Sequence, residues 1–308
     1  MARKEILLPS NDGVHKLHVV IWEPEGVARA VVQISHGMVE HIGRYSDFAA
    51  FLCENGFVVI GNDHLGHGRT AANNADFGYF CPEHRSATVV KDMHKVTRYA
   101  KSRYKNMPYF LLAHSMGSFL ARRYLMTYGG ELDGTILLGT GGQKESVLIT
   151  GMIYAKLMSL FVGERHRSEF VKKQSFHTYL DRIPDYSSEN EWISRDKNVV
   201  AAYDADELCS FNFTLNGYYT LFEVIDYIQK KKNIQKIPKD MPIFFASGEE
   251  DPVGGYGKWV RQIVDEYKKA GIKNIKLKMY KNDRHELLNE LDREVVYADI
   301  LNWLLELS

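Results

Sequence analysis

The segment from Ala113 to Gly117, with the sequence AHSMG, constrains the fold of this chain more than any other segment. It follows a short apolar run at residues 108–112 and precedes a helix-like pattern at residues 119–128. A sharp strand-to-helix turn needs small residues beside it, because larger side chains would collide with neighbouring strands. Such a turn would push the hydroxyl of Ser115 outward. The segment alone leaves one alternative open, namely a serine that only caps the helix.

Two further strand-like segments each run into a side chain that could act together with Ser115. Residues 241–247 precede a turn that carries Asp251, and residues 275–280 precede the loop that carries His285. The chain order serine, aspartate, histidine is the order of the α/β-hydrolase arrangement and differs from the orders in the two major serine-protease folds. The sequence therefore predicts a catalytic triad.

The chemistry requires a base beside the serine, because a hydroxyl is a poor nucleophile at neutral pH. We predict that His285 takes the proton of Ser115 and later gives it to the leaving group. A buried carboxylate on the other ring nitrogen would fix the tautomer. We assign that carboxylate to Asp251, while Glu249 and Glu250 remain alternatives that are expected to point to solvent.

A tetrahedral intermediate also needs hydrogen-bond donors directed at its oxyanion. One predicted donor is the backbone N–H of Met116, the residue after the nucleophile. The second should lie in the turn after an earlier strand, and residues 30–35 run directly into such a turn. The backbone N–H of Met38 is the second predicted donor.

Several longer segments of the chain match one family. Residues 36–45 contain HGMVEH followed by RY, and residues 62–69 read NDHLGHGR; the other matches are residues 113–117, 192–196, 247–254 with Lys258, and 284–290. In this order they resemble the monoacylglycerol lipase and lysophospholipase branch of the α/β hydrolases. The resemblance implies a serine carboxylic-ester hydrolase that acts on monoacyl lipids through an acyl-enzyme, with Ser115, Asp251 and His285 as triad. It also implies Met38 and Met116 as oxyanion donors.

The segment around the serine departs from the family pattern at two positions. Ala113 replaces the first glycine of the turn, and Ser118 replaces a frequent further glycine. Both changes leave the predicted chemistry intact, and they raise the question of how the helix packs against the strands.

Strand-like and helix-like patterns alternate along most of the chain, which predicts an α/β-hydrolase fold with a mostly parallel central sheet and helices on both faces. Among the expected elements, Ser46 caps a helix over residues 46–55, and Leu288 and Leu291 belong to a long C-terminal helix. The alternation is interrupted after the strand that follows the predicted helix at residues 119–128. We expect residues 1–141 and 238–308 to form the core and residues 142–237 to form a helical cap.

The cap region is rich in aromatic residues, which could line an acyl pocket as a lid or form the cap's own core. Its most apolar stretch, Val147 to Val162, falls short of the roughly 20 residues that span a bilayer. We interpret it as either a buried cap helix or an interfacial helix that contacts a membrane surface transiently.

Composition restricts the remaining partners. The chain has 39 basic and 39 acidic side chains, so its charge gives no reason to expect nucleic-acid binding. No phosphate-cradling glycine loop is present, and we expect no cofactor. The histidines near residues 36–41 and 64–67 lack suitably spaced partner ligands, so we expect no metal. Glu40, Asp63 and their neighbours His41 and Arg69 are expected to hold the turns around the site, and His114 to be a packed neighbour.

The remaining expectations concern the environment of the protein and the alternative functions. Cys53, Cys81 and Cys209 are odd in number and widely spaced, which favours free thiols. The start of the chain lacks a signal-peptide core, so we expect a cytoplasmic protein. Two alternative functions are a serine peptidase of the aminopeptidase type and, less favoured, a non-catalytic binding protein on the same scaffold.

Overall fold

A single eight-stranded sheet forms the centre of the computed structural model, which describes residues 1–83 and 85–308. The strands are β1 (Ala2–Pro9), β2 (Lys16–Glu23), β3 (Ala30–Ser35), β4 (Phe57–Asn62), β5 (Tyr109–His114), β6 (Gly134–Leu138), β7 (Ile243–Gly248) and β8 (Ile275–Tyr280). Their spatial order is β1-β2-β4-β3-β5-β6-β7-β8. Strand β2 pairs antiparallel with β1 and β4, and the other pairs are parallel.

Ten helices accompany this sheet in the described part of the chain. They are α1 (Ser46–Glu54), α2 (Arg85–Arg103), α3 (Met116–Tyr128), α4 (Glu145–Val162), α5 (Glu169–Phe176), α6 (Lys197–Ala205), α7 (Leu215–Gln229), α8 (Lys231–Ile234), α9 (Lys258–Lys269) and α10 (Arg293–Leu305). Helices α4 to α8 all lie between β6 and β7 in the chain, where the sequence predicts the cap. The predicted boundaries at 141/142 and 237/238 stay predictions.

The core lies in two layers, one on each face of the sheet. Successive residues of β5 belong to different layers. Leu111 lies in the layer that contains α2, α3 and α9, whereas Phe110 and Leu112 lie in the layer that contains α1 and α10. The central strands β3 to β7 are buried along their whole length, as expected for parallel strands covered on both faces. The predicted fold class is therefore confirmed.

Two local expectations are wrong. Ser46 does not cap α1 with its side chain; Tyr45 is the N-cap residue, and the Ser46 hydroxyl donates to the carbonyl of Gly43. The C-terminal helix begins only at Arg293, because Leu288 lies in a short 3₁₀ turn and Leu291 is exposed. In the second case the apolar periodicity continued past the true helix boundary, which the 3₁₀ turn determined. Strand β1 and helix α9 were not predicted from the sequence.

The turn between β5 and α3 packs tightly against β3. A Cβ added to Gly117 would lie 2.2 Å from the carbonyl oxygen of Ser35, which is a severe clash with backbone. Ala113 is fully buried and pairs with Ser35 in the sheet, so its single methyl group fits. The Ser118 hydroxyl donates to the carbonyl of Ser115 at 2.6 Å. The two departures from the family pattern are thus accommodated without loosening this turn.

We expect Gly117→Ala to destabilise the protein by about 3 kcal/mol or more, because the strand backbone beside it cannot yield without disrupting the sheet. Chemical denaturation of purified protein would measure the loss. Gly130→Ala is the matched control, since a Cβ at Gly130 meets no atom within 4 Å and the change should stay within about 0.5 kcal/mol. Equal stability of the two variants would contradict this account of the turn.

Candidate active site

Ser115 occupies a strained backbone position at the end of β5. Its φ of 53° and ψ of −123° lie in a region that non-glycine residues rarely adopt. The backbone N–H of Ser115 still donates to the carbonyl of Leu138 on β6 at 3.0 Å, which anchors the turn to the sheet. Strain of this kind persists only where the surrounding structure enforces it, and it is common at functional sites. The geometry is that of the sharp strand-to-helix turn that the sequence predicts.

Asp251 and His285 are brought together by the loops after β7 and β8. His285 Nδ1 donates to Asp251 Oδ1 at 3.0 Å, and both side chains are buried. The same oxygen accepts the backbone N–H of Val253 at 2.8 Å. Because the carboxylate can only accept, the ring proton lies on Nδ1, and Nε2 keeps its lone pair free. Glu249 and Glu250, the alternatives, make no such contact.

The free nitrogen of His285 and the hydroxyl of Ser115 belong to the same cavity. This cavity has a volume of about 1130 Å³, and both residues line it. His285 Nε2 is buried, and in the described part of the chain it has no hydrogen-bond partner, Ser115 Oγ included. Long catalytic hydrogen bonds that tighten only with substrate are common in ligand-free sites. The arrangement therefore leaves an unpartnered ring nitrogen in the cavity that Ser115 also lines.

The two predicted oxyanion donors also lie at this cavity. Met116 is the first residue of α3, where a backbone N–H has no acceptor within the helix. Met38 lies in the loop after β3, and both methionines line the cavity. A Cβ added to Gly37 would lie 3.0 Å from the Cβ of Ser115, so this loop passes directly beside the nucleophile.

A buried carboxylate, that of Glu40, holds the loop in place. It accepts the backbone N–H of Gly37, the Tyr45 hydroxyl at 2.9 Å and His114 Nδ1 at 3.0 Å. Arg44 Nη1 also donates to it, at 3.1 Å. The loop that carries Met38 and the residue before the nucleophile thus share one anchor.

The charges at this anchor support each other. Burial by itself would raise the pKa of Glu40, but its hydrogen bond to His114 and the charges of His114 and Arg44 outweigh burial and lower it. Burial likewise opposes charge on His114, and the hydrogen bond and charge of Glu40 raise its pKa instead. His114 Nε2 lies 3.3 Å from the carbonyl oxygen of His285. With an acceptor at each ring nitrogen, His114 pairs with Glu40 of the loop after β3 and also contacts the loop of His285, where the sequence predicts only a packed neighbour.

The cap reaches into the site through residues 191–195. The ring of Trp192 lies 5.0 Å from the ring of His285, and the carbonyl of Ile193 accepts the backbone N–H of Glu286 at 2.7 Å. Glu286 in turn receives two hydrogen bonds from Arg44, at 2.6 and 2.8 Å. No role was predicted for Trp192 or Glu286 from the sequence. Both residues lie in segments that resemble the family's motifs, residues 192–196 and 284–290, and this resemblance was the available signal for a role at the site.

The other residues that were expected to hold the turns around the site make hydrogen bonds at the ends of those turns. Asp63 accepts the backbone N–H groups of Ile42 and Arg69, both at 2.8 Å. His41 Nε2 donates to Asp206 of the cap at 2.9 Å. Burial lowers the pKa of His64 to about 3 and that of His67 to about 4, so both rings are neutral.

Two side-chain groups in the described residues have atoms close enough together to hold a metal ion. One consists of His41, Asp206 and Cys209; the other consists of Asp283, Glu290 and Asp292. In the second group Arg195 donates to all three carboxylates and already balances part of their charge. The expectation that the site uses no metal stays a prediction.

Comparisons with known proteins decide the family. The family model Hydrolase_4, described as serine aminopeptidase S33, matches residues 26–292. The chain belongs to this family. A monoacylglycerol lipase of Mycolicibacterium smegmatis is 24% identical over 95% of this chain and 94% of its own length. The monoglyceride lipase of Homo sapiens is 26% identical over 92% of this chain and 84% of its own length.

Solved structures agree with this assignment. A thermostable carboxyl esterase from Bacillus coagulans, in complex with glycerol, superimposes with a TM-score of 0.93 and 29% identity over 100% of this chain and 99% of its own. A soluble variant of the monoglyceride lipase from Saccharomyces cerevisiae has a TM-score of 0.77 and 19% identity, covers 99% of this chain and 95% of its own, and supports the fold alone. The chain is a carboxylic ester hydrolase of the α/β-hydrolase fold.

We expect Glu40→Gln to lower kcat for a p-nitrophenyl ester by up to about 10²-fold with a smaller change in KM, because a displaced donor loop mainly weakens transition-state binding. The matched control is Glu131→Gln, which removes a carboxylate that also pairs with a histidine, His94, at 2.8 Å, but outside the cavity. The control should keep wild-type kcat. A Glu40→Gln enzyme with unchanged kcat would contradict the anchoring role.

Proposed function

We propose that this enzyme hydrolyses the ester bond of a monoacyl lipid through an acyl-enzyme on Ser115, with Asp251 and His285 completing the triad. The observation that carries the proposal is the buried Asp251–His285 hydrogen bond, which leaves Nε2 unpaired in the cavity that Ser115 also lines. The strained conformation of Ser115 supports it, because strain at a single serine fits a side chain held out for reaction.

In the proposed reaction, His285 Nε2 takes the proton of Ser115 Oγ as the oxygen attacks the ester carbonyl. The backbone N–H groups of Met38 and Met116 stabilise the oxyanion that forms. The tetrahedral intermediate collapses, the alcohol leaves with the proton from His285, and the acyl group stays on Ser115. Water then attacks the acyl-enzyme with His285 as base again, and the fatty acid leaves.

The cavity fits an amphiphilic ester. Its apolar lining includes Phe119, Phe176, Phe211, Tyr218 and Leu221, and its charged lining includes Glu169, Lys172, Lys173, Asp181 and Glu189. An acyl chain would gain from burial against the first group, and a hydroxylated alcohol would remain hydrated near the second. Relatives that are named monoacylglycerol lipase and monoglyceride lipase support a monoacyl glycerol as the substrate.

A peptidase of the aminopeptidase type is the second candidate, because the family description names one and because three cap carboxylates line the cavity. A substrate amine would need a carboxylate that is free to pair with it. Glu169 already accepts Asn212 Nδ2 at 2.9 Å, and Glu189 lies 3.5 Å from Lys172 Nζ. Two of the three carboxylates thus already have partners, and the relatives named monoacylglycerol lipase and monoglyceride lipase favour the ester hydrolase.

Ser115→Ala is expected to reduce monoacylglycerol hydrolysis by about 10⁶-fold, and Asp251→Asn by about 10⁴-fold. Fatty-acid release would measure the rates, and mass spectrometry after fluorophosphonate treatment should find the label on Ser115. Ser102→Ala, at an exposed serine, is the control and should keep full activity. Hydrolysis of an aminoacyl anilide without ester hydrolysis would overturn the proposal in favour of the peptidase.

We further propose that α4 contacts a membrane surface that holds the substrate. By length and composition α4 is the one helix among the described residues that could cross a membrane, and only 11% of it is buried. Its exposed apolar side chains are Val147, Ile149, Ile153, Leu157, Leu160, Phe161 and Val162. Phe170 of α5, also exposed, packs on Tyr154 of α4, and Lys172 on the same short helix lines the cavity. The apolar surface therefore continues towards the helix that borders the substrate cavity.

The double variant Leu160→Gln/Phe161→Gln is expected to weaken binding to phosphatidylcholine vesicles by about 10-fold or more, because the two side chains are 74% and 83% exposed and would lose apolar burial. Vesicle flotation would measure the bound fraction. The control Val14→Gln/Val27→Gln changes two valines that are 80% and 95% exposed away from the cap. Absence of wild-type protein from the floated fraction would remove this proposal.

A further inference from the structure

A second, smaller cavity lies at the junction of cap and core, separate from the catalytic cavity but sharing one wall with it. Its volume is about 210 Å³, and Tyr179 lines both cavities. Three arginines dominate its lining, Arg182 and Arg195 from the cap and Arg284 from the loop after β8. The proposed ester hydrolysis uses none of these guanidinium groups.

Two of the arginines have at most one carboxylate partner each among the described residues. Arg284 Nη1 donates only to backbone carbonyls, those of Glu191 at 2.6 Å and Ser194 at 3.0 Å, and it forms no ion pair with any described residue. Burial lowers the pKa of Arg284, although the charges of Glu290 and Glu191 oppose this shift. Arg182 stacks on the ring of Tyr256 at 3.6 Å, and its carboxylate neighbour Glu250 lies 3.6 Å away.

The wall of this cavity also holds an unused hydrogen-bond donor. The hydroxyl of Tyr256 is buried and has no partner among the described residues. Tyr256 and Asn282, another lining residue, both have positive φ, 56° and 67°. A buried hydroxyl without a partner costs free energy, and an anion in the cavity would accept a hydrogen bond from it.

The positive charge of the third arginine, Arg195, is balanced by carboxylates that lie outside the cavity. Arg195 donates to Asp283 and Asp292, both at 2.5 Å, and to Glu290 at 3.0 Å. These carboxylates do not line the cavity, whereas Glu250 does. Burial raises the pKa of Asp283 to about 7, which reduces the negative charge behind Arg195 near neutral pH. The lining itself therefore carries three positive charges and one negative charge.

We propose that this cavity binds a phosphate-like oxyanion, either free phosphate or the phosphate group of a small phosphomonoester. Arginine guanidinium groups match the geometry of phosphate oxygens, and the Tyr256 hydroxyl supplies a further donor. The site goes beyond the proposed hydrolysis and does not depend on it. Its position gives it a consequence, because Glu250 precedes Asp251 and Arg284 precedes His285. A bound anion would join the cap to both loops that carry these residues.

Isothermal titration calorimetry of the full chain with inorganic phosphate, at constant ionic strength set with sodium chloride, tests the proposal. We expect saturable binding with one site per chain. Arg182→Gln should weaken it by about 10-fold, the loss of one charge-assisted hydrogen bond. Tyr256→Phe should weaken it by about 5-fold, as for one neutral hydrogen bond. Arg165→Gln is the matched control, because Arg165 also stacks on a tyrosine, Tyr79 at 4.0 Å, and is similarly exposed, but lies outside this cavity.

Parallel titrations identify the source of the anion. Tighter binding of glycerol 3-phosphate than of inorganic phosphate would assign the site to a phosphomonoester, and the reverse order would assign it to free phosphate. Glycerol alone should not bind here. Phosphate binding that is absent, or that is equally strong in Arg182→Gln, Tyr256→Phe and Arg165→Gln, would overturn the proposal. Circular dichroism of each variant ensures that a loss reflects the site rather than unfolding, and Tyr256→Phe removes only one buried oxygen atom.

Discussion

The buried carboxylate of Glu40 is the interaction on which the rest of the site depends. Through Gly37 it fixes the loop of the proposed oxyanion donor Met38, through His114 the turn of Ser115, and through Arg44 the residue after His285. Each of these groups is buried and would be costly alone, since an unpaired charge in a protein interior costs several kcal/mol. Each of these charges is stable in the interior only because the opposite charge lies beside it. This mutual requirement holds three loops from distant parts of the chain in one arrangement.

The cap is part of the same arrangement rather than a separate cover. Trp192 packs on the ring of His285, Ile193 binds the backbone of Glu286, and Arg284 donates to two cap carbonyls. The segment that holds the histidine loop therefore belongs to the cap in the chain and to the active site in space. Beside this junction, Tyr179 lies 4.9 Å from the ring of Trp192 and lines both the catalytic cavity and the arginine-lined cavity. Movement of the cap would act on the histidine directly.

The sequence predicted the main elements well, because parallel strands buried on both faces give continuous apolar runs. The strands β3 and β8 were predicted with their observed ends, and the turn after β5 was recognised from its small residues. The edge strand β1 was missed, since most of its residues are exposed and it lacks such a run. The start of the C-terminal helix was misplaced because the apolar spacing of Leu288 and Leu291 continues the helical pattern backwards into a 3₁₀ turn and an exposed residue. Apolar periodicity does not report where a hydrogen-bonded helix begins.

The sequence by itself determined the fold class and the residue types of the site, because strand-ending serine, aspartate and histidine in that order leave little choice of architecture. Tertiary structure decided what those residues touch. It selected Asp251 over Glu249 and Glu250 by placing one carboxylate 3.0 Å from the imidazole, and it turned His114 from a neighbour into a charged partner of Glu40. It also left the apolar face of α4 exposed instead of burying it. Such outcomes depend on distances between segments far apart in the chain, and a local pattern contains no information about those distances.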